Sequence, residues 1–371
     1  MNKSTVIFAA LALLAASCTK TEVVSCDVQG SQRGIGFSAY TAKPTKAAQK
    51  DVTTGEFNSF QVSAIGNGAV YFDNVTFNWK SGSKVWESDP LYFWPAYALD
   101  FYAYNTPATG NGTFKRNITT TDPKTLTLTY SPAAELAKQE DLVAAYAANQ
   151  TDPRGATDLT FNHYLTQVIV KAKNSSTGYD VKVYGVKLAN LAGEGTYTFS
   201  SNTMAATAAK VNSEASSDYT SNFTVKTLTA DAQEVMVTTG SGKWYLVPQS
   251  VTAWDQAGNK KNTSHGTYIA LNVKITAPND VVVYPTSGES AWMAVPVPAE
   301  LAFAQGSKYT VTFDFFSATG GGAGYVEPEN PGELDRDPNT DDNGKSIIGG
   351  AIKFSATVDP WTEVQEITIS L

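Results

Sequence analysis

The histidines are the first residues to consider for catalysis, because imidazole acts as a general base and as a zinc ligand near neutral pH. The chain has two, His163 and His265, far apart in sequence. His163 stands near Phe161 and Leu165 in an alternating segment, which favours a structural role, and His265 lies in a polar turn. We expect no catalytic residues and no enzyme, although two carboxylates that meet only in the folded chain stay open.

An acidic segment, Asp335 to Gly344, carries oxygen ligands at every second position, as calcium loops do. An EF-hand loop requires Gly at position six and Glu at position twelve, whereas Gly344 comes at position ten and no Glu follows in register. We therefore expect a solvated acidic loop and no metal or other cofactor, with calcium binding as the alternative.

Cys18 is a candidate for acylation. Lys3 precedes an apolar run from Val6 to Ala16, which is typical of a secretory signal peptide over residues 1–17 and too short to span a bilayer. The residues before Cys18 resemble a bacterial lipobox, with Ala15 where Leu is usual. We expect a lipid on Cys18 that holds the protein at the outer membrane; an ordinary signal peptide is the alternative.

Cysteine content and charge limit the remaining possibilities. Besides Cys18 the chain has only Cys26, so a lipidated Cys18 leaves no partner for an intrachain disulfide and stability must come from a packed core. The formal net charge is −8 and the lysines are scattered. Nucleic acid is therefore not expected as a partner, since binding it requires a clustered basic face.

After a leader, the rest of the chain is predicted to form mainly short strands. Residues 18–33 are polar and predict a flexible leader. Ile35, Phe37 and Ala39 then alternate with smaller or polar residues, the period-two pattern of a half-buried strand. Similar short segments, separated by turn residues, continue to the alternating terminal residues Ile367, Ile369 and Leu371.

This pattern predicts an all-β fold. Many short strands without intervening helices favour antiparallel β-sandwiches, since parallel strands require long crossover connections. The length of 371 residues suggests two domains. We place an N-terminal sandwich at residues 34–155 and a C-terminal sandwich at residues 156–371.

Several of these segments resemble the fimbrillin family, the lipoprotein subunits of type V pili. They are Ile35-Gly36-Phe37 with Thr45-Lys46-Ala47, Tyr92-Phe93-Trp94-Pro95 with Leu99-Asp100-Phe101-Tyr102-Ala103-Tyr104, Asp141-Leu142-Val143-Ala144, Leu159-Thr160-Phe161-Asn162-His163-Tyr164-Leu165, Leu246-Val247-Pro248-Gln249, and Ile352-Lys353-Phe354 with Val358-Asp359-Pro360-Trp361. The resemblance implies two transthyretin-like sandwiches and a fimbrial subunit that supports adhesion.

The resemblance also implies assembly by donor-strand exchange. The strand with Ile35, Phe37 and Ala39 would fill a groove until proteolysis releases it, and the strand with Ile367, Ile369 and Leu371 of another subunit would replace it. Burial of about four apolar side chains contributes on the order of 6–12 kcal/mol before ordering costs. Partners are thus copies of this chain or other fimbrial subunits, and a maturing protease.

The cleavage site departs from the family pattern. Family members are typically cut after an Arg that Ala follows, whereas this chain has Lys46-Ala47 at the matching place. Arg33 is a second candidate, and the alternative is that Lys46 only solubilises a linker. The identity of the protease and the role as shaft, tip or anchor subunit stay open.

A surface glycan-binding lipoprotein or tip adhesin is the rival hypothesis. Trp86, Trp254 and Trp292 would serve as stacking platforms for a host glycan, although sandwich cores also require tryptophan. The short alternating strand at the C-terminus favours a shaft subunit, since such a subunit must donate a strand.

Overall fold

The computed structural model is an all-β structure, which confirms the predicted fold class. It describes residues 33–41, 58–121, 124–199, 205–208, 216–239, 242–255, 266–298, 301–318, 321–327, 346–349, 352–360 and 369–370. Helical structure among these residues occurs as short 3-10 turns at Leu136–Lys138 and Pro278–Asp280.

The strands of the described residues are numbered in chain order. They are β1 (Gly36–Thr41), β2 (Ser59–Gly66), β3 (Ala69–Lys80), β4 (Val85–Ser88), β5 (Leu99–Tyr104), β6 (Thr113–Thr119), β7 (Thr125–Ser131), β8 (Val143–Gln150), β9 (Thr157–His163), β10 (Thr166–Asn174), β11 (Asp180–Ala192), β12 (Gly195–Phe199), β13 (Ala205–Ala208), β14 (Ser216–Thr227), β15 (Gln233–Glu234), β16 (Trp244–Leu246), β17 (Gln249–Ser250), β18 (Tyr268–Ala277), β19 (Val281–Tyr284), β20 (Ala291–Pro296), β21 (Ala302–Phe303), β22 (Ser307–Phe315), β23 (Tyr325–Val326), β24 (Lys353–Pro360) and β25 (Ile369–Ser370).

The first half of the chain forms a closed sheet in the order β1-β4-β3-β2-β5-β8-β9. Alternation places one set of side chains inside it, as in β9, where Thr157, Leu159 and Phe161 are buried and the residues between them are exposed. The enclosed cluster is rich in aromatic residues. Each strand inside such a closed sheet has two neighbours, so the removal of any strand opens a groove.

A four-stranded sheet, β13-β12-β7-β6, joins the two halves of the chain. β7 pairs with β12 from Leu126 opposite Phe199 to Tyr130 opposite Gly195. The two sheets of the second half, β15-β10-β22-β24-β25 and β14-β11-β18-β20-β23, enclose the largest apolar cluster. β16 pairs with β10 and β19 with β18 at the sides of these sheets, and β17 pairs with β21.

Most strand pairs within the described ranges are antiparallel, as expected, but two of these pairs are parallel. β1 pairs with β9, and β10 pairs with β22, in parallel register. Alternation in the sequence fixes which side chains face the core, and it carries no information on the direction of the partner strand. The division at residue 155 stays a prediction; β9, which follows it, pairs with β8 and β1 in the closed sheet.

Candidate functional site

β1, the first strand of the described chain, lies between β4 and β9. Its parallel register with β9 runs from Phe37 opposite Thr157 to Thr41 opposite Phe161. Its antiparallel register with β4 covers only Gly36 opposite Glu87 and Phe37 opposite Trp86. The strand therefore closes the sheet along its first residues and is held mainly by β9 toward its end.

Phe37 is the side chain that anchors β1 in the core. It is fully buried, and its ring centroid lies 4.8 Å from that of Phe77 and 5.0 Å from that of Phe101, both edge-on. Ile35 is also fully buried, and Ala39 packs against the same cluster while partly exposed. Burial of Ile35 and Phe37 stabilises the closed sheet by about 3–6 kcal/mol.

The residues before β1 form backbone hydrogen bonds with the loop Tyr92-Phe93-Trp94-Pro95, which we term the aromatic loop. The Ile35 amide donates to the Tyr92 carbonyl at 2.7 Å, and the Trp94 amide donates to the Arg33 carbonyl at 2.9 Å. The Arg33 guanidinium lies 4.0 Å from a carboxylate oxygen of Asp152. Arg33, the second candidate for the cleavage site, and the start of the candidate removable strand are thus held at one end of the closed sheet.

Tyr71 binds the aromatic loop through its side chain. Its hydroxyl donates to the Phe93 carbonyl at 2.7 Å. Partial burial raises the pKa of Tyr71, and the neighbouring Tyr97 and Tyr92 raise it further. The phenol therefore stays protonated near neutral pH and keeps its hydrogen bond.

The other chain end forms β25, a strand of two residues at the edge of a sheet. Ile369 lies opposite Ala356 and Ser370 opposite Ser355, both on β24. β24 in turn pairs along its length with β22, from Lys353 opposite Asp314 to Pro360 opposite Ser307. Ile369 is thus the donor-strand candidate that the structure describes, and β24 is its neighbour in that sheet.

His163 serves as a link between strands. Its Nδ1 lies 2.5 Å from Oδ2 of Asp141, and Val143 pairs with His163 across β8 and β9. The Tyr164 amide also donates to the Leu142 carbonyl at 2.9 Å. These contacts fit the structural role expected for His163.

The tryptophans named as stacking platforms are buried. Trp86 belongs to the core of the closed sheet, whereas Trp254 and Trp292 pack with Tyr268 on a second-half sheet. The interpretation of these three residues as exposed platforms is wrong, because their rings are covered by neighbouring side chains. The glycan-binding hypothesis therefore has no support from them.

The remaining site residues of the sequence analysis lie outside the described residues. These are Cys18, Cys26, Lys46, His265, Ile367, Leu371 and the acidic loop at 335–344. Among the described residues, no group of three or more His, Cys, Asp or Glu side chains is arranged to hold a metal ion. No helix of the described ranges has the length and hydropathy to cross a bilayer.

Sequence reasoning missed the contact between the aromatic loop and the start of β1. The run Tyr92-Phe93-Trp94-Pro95 is part of the family resemblance, but the sequence assigns it no place in the fold. In the structure, Gly34 forms an antiparallel bridge with Phe93 of this run. The signal was present in the unusual density of aromatic residues, but pairing between segments this far apart leaves no trace in local periodicity.

Comparisons with known proteins agree with this architecture. The sequence model of a family described as fimbrillin-like matches residues 32–325. A fimbrial protein from Bacteroides vulgatus ATCC 8482 has a similar structure, with a TM-score of 0.56 and 18% identity over 88% of this chain and 99% of that chain. This likeness supports the fold.

Two further solved structures are similar to the chain. A proposed cell adhesion protein from Bacteroides ovatus ATCC 8483 has a TM-score of 0.45 and 14% identity, over 91% of this chain and 100% of its own. One from Bacteroides uniformis ATCC 8492 has a TM-score of 0.42 and 14% identity, over 88% of this chain and 98% of its own. Among curated proteins, none matches the sequence significantly.

Proposed function

The chain belongs to the fimbrillin-like family, and from this premise we propose that it is a structural subunit of a cell-surface fimbria that supports adhesion. The subunit polymerises by exchange of terminal strands and performs no catalysis. A lipid on Cys18 delivers it to the outer membrane, and a protease matures it there.

The position of β1 is the observation that carries this proposal. β1 lies between two strands of a closed sheet, yet it is contributed by the start of the fold and joined to β2 only through residues 42–57. One cut in that connection separates it covalently from the rest of the fold. The groove left behind has backbone groups of β4 and β9 along its walls and Phe77 and Phe101 on its floor.

The proposed cut follows Lys46. A cut after Arg33 leaves β1 joined to β2, whereas a cut after Lys46 creates a free end beyond Thr41. This free end adjoins Ser38–Thr41, the part of β1 that pairs with β9 alone in the described ladders. The strand can therefore begin to separate where it is held on one side before the anchored Phe37 leaves the core.

The replacement strand is proposed to come from the C-terminus of another copy, with Ile367, Ile369 and Leu371 facing the groove. In the fold of a single copy, Ile369 lies opposite Ala356 and Ser370 opposite Ser355 of β24, a ladder of two residues. The segment that would be donated is therefore held by few backbone hydrogen bonds in the described part of the chain.

Lys46→Gln tests the proposal, with Lys50→Gln in the same connection as the matched control. We expect the Lys46→Gln protein to keep its leader and remain monomeric, while Lys50→Gln is cut and forms filaments like the unmodified chain. Mass spectrometry of the new N-terminus and electron microscopy of the product report these two results. Normal filaments from the Lys46→Gln protein would contradict the assigned cut.

A further inference from the structure

A buried ion pair lies on one face of the sheet β14-β11-β18-β20-β23. The Lys187 ammonium is 2.9 Å from Oε1 of Glu327, and the two side chains are 13% and 1% exposed. Among the ion pairs of the described residues, this one is the least exposed. Val186 and Leu188, the neighbours of Lys187 on β11, belong to the largest apolar cluster, so Lys187 points to the opposite face of the sheet.

Small residues leave room for this contact across the sheet. Lys187 lies opposite Ala270 on β18, and Ala270 lies opposite Ala294 on β20. Ala294 lies in turn opposite Tyr325 on β23, two residues before Glu327. Residues opposite each other share a face of the sheet, so two alanines stand between Lys187 and the strand that leads to Glu327.

Aromatic side chains surround the ion pair. Nζ of Lys187 lies 4.8 Å from the centroid of the Trp292 ring, and the Tyr268 hydroxyl donates to Oε1 of Glu327 at 3.0 Å. Trp292, Tyr268 and Trp254 are buried in one cluster. The ammonium and the carboxylate are therefore held together in surroundings of low polarity, where charges are costly to keep.

We propose that Lys187 and Glu327 condense in the folded chain to a side-chain amide, an isopeptide bond, and release one water molecule. Nζ is 2.9 Å from Oε1 and a carboxyl C–O bond is about 1.2 Å long, so Cδ of Glu327 lies within about 4.1 Å of the amine. Groups held in such proximity react as if at an effective concentration of up to about 10⁵–10⁸ M. This concentration favours the amide over its hydrolysis.

The reaction balances within the two side chains. Low polarity favours transfer of one proton from the Lys187 ammonium to Oε2 of Glu327, which gives a neutral amine and a neutral carboxylic acid. The nitrogen lone pair attacks Cδ, the C–N bond forms, and the carbonyl electron pair moves to Oε1. A proton then passes from nitrogen to the Oε2 hydroxyl, the C–O bond breaks, water leaves and the carbonyl re-forms.

Tyr268 assists this step through its hydrogen bond. Its hydroxyl donates to Oε1, the atom on which negative charge develops during the attack, and a donor placed there stabilises the transition state. Tyr268 keeps its own proton throughout.

The bond ties β11 to the end of β23. In the described ladders, β23 pairs with β20 at two positions, Met293 opposite Val326 and Ala294 opposite Tyr325. A covalent link to Glu327 therefore holds a strand whose backbone pairing is short, and it does so without cysteine.

Peptide mapping of the denatured full chain tests the bond. Trypsin does not cut after a lysine whose amine is acylated, so we expect no cut after Lys187. The peptide of residues 183–210 should instead be linked to the peptide of residues 309–336, at the sum of their masses less one water. A cut after Lys187 and two separate peptides from the unmodified protein would show an ion pair only and would overturn the proposal.

A second ion pair in the same half is the matched control. Lys173 lies 3.1 Å from a carboxylate oxygen of Asp314, but the side chains are 33% and 16% exposed. Water solvates these charges, so they should stay unlinked in the same digest. Linked peptides at this pair as well would contradict the role assigned to the buried surroundings.

Two variants test the chemistry. Lys187→Arg keeps the charge and the hydrogen bond but has no amine that can become neutral, so it should fold with an unchanged circular dichroism spectrum and lose the linked peptide. Tyr268→Phe should slow formation of the linked peptide about tenfold or more, measured at fixed times after synthesis. Formation at the unmodified rate would remove Tyr268 from the reaction.

This bond and the proposed function fail separately. Linked peptides from a protein that forms no filaments would contradict the fimbrial assembly and leave the bond established. Filaments built from unlinked chains would do the reverse.

Discussion

The two halves of the molecule are closed in different ways. In the first half, β1 comes from the start of the fold and completes a closed sheet between β4 and β9. In the second half, the last described strand, β25, covers two residues of β24 at a sheet edge. Each chain end supplies a strand, but one fills the interior of a sheet and the other lies at a border.

Because of this difference, removal of β1 and removal of β25 should have different consequences for the fold. Removal of a strand with two neighbours uncovers two rows of backbone groups and an apolar floor, whereas removal of a short edge strand uncovers little. Under the proposed strand exchange, a subunit with both features would have a deep acceptor at one end and a loosely held donor at the other. The predictions below address this contrast.

Removal of residues 1–46 without a replacement strand has the largest expected effect. The closed sheet loses the buried Ile35 and Phe37, about 3–6 kcal/mol from the side chains alone. Urea denaturation of the truncated monomer should show this loss, and an added peptide of residues 361–371 should recover part of it. A truncated chain as stable as the full one would show that β1 is not part of the closing structure.

Phe37→Ala should lower the free energy of unfolding of the uncut protein by about 3–5 kcal/mol, because it leaves a cavity among aromatic rings. Phe93→Ala is the matched control, since its ring is largely exposed; the expected change is within about 0.5 kcal/mol. Denaturant midpoints measure both. Similar losses for the two variants would contradict the assignment of Phe37 as the anchor.

Deletion of residues 361–371 should change the stability of the monomer by only about 1–2 kcal/mol, since β25 makes a short ladder to β24. The same deletion should abolish filament formation after cleavage. Calorimetry and electron microscopy test the two effects separately. Loss of monomer stability comparable to that of Phe37→Ala would remove the contrast between the chain ends.

The smallest expected effect concerns the link between the closed sheet and β6. The two terminal guanidinium nitrogens of Arg116 donate to the two carboxylate oxygens of Asp73, at 2.6 and 2.7 Å. Burial acts to raise the pKa of Asp73, but hydrogen bonds from Arg116 and Ser63 and the Arg116 charge outweigh it and lower the pKa. Asp73→Asn should cost about 0.5 kcal/mol at neutral pH, given the partial exposure of the pair.

The pH dependence of that effect follows from the lowered pKa. The stabilisation is fully present above the ordinary pKa of an aspartate, about 4, and is lost as the pH falls through the lower pKa of the folded state. Denaturation midpoints of the two proteins should therefore converge in acid, while Asp158→Asn serves as the control. A difference that grows in acid would contradict the assignment.

Strand identity was largely predictable from sequence where alternation is clean. In β7 and β22, buried and half-buried positions alternate as the residues do. Local composition is less informative for Ala133 to Ala147, where it is compatible with at most one short helix. That segment forms one 3-10 turn and β8, because β8 lies between β5 and β9, where small alanine side chains fit a crowded interior.

The sequence predicts which residues of the candidate site are buried, but it does not predict which strands and loops they contact. The pattern of Ile35 and Phe37 indicates burial, and both are buried. The parallel pairing of β1 with β9 and the contacts of Arg33 with the aromatic loop depend on segments distant in sequence. Such contacts are decided by the whole fold, so single-segment patterns do not reveal them.

Disulfide trapping tests the exchange of strands most directly. In a Cys26→Ser background, in which the proposed lipid blocks the thiol of Cys18, Ser370→Cys is combined with Asp158→Cys or Thr160→Cys on the outer side of β9, two positions that allow for the register of the donor. We predict a ladder of disulfide-linked multimers from one of these pairs after cleavage, and monomers before it. Filaments that form normally without any linked multimers from either pair would contradict the account.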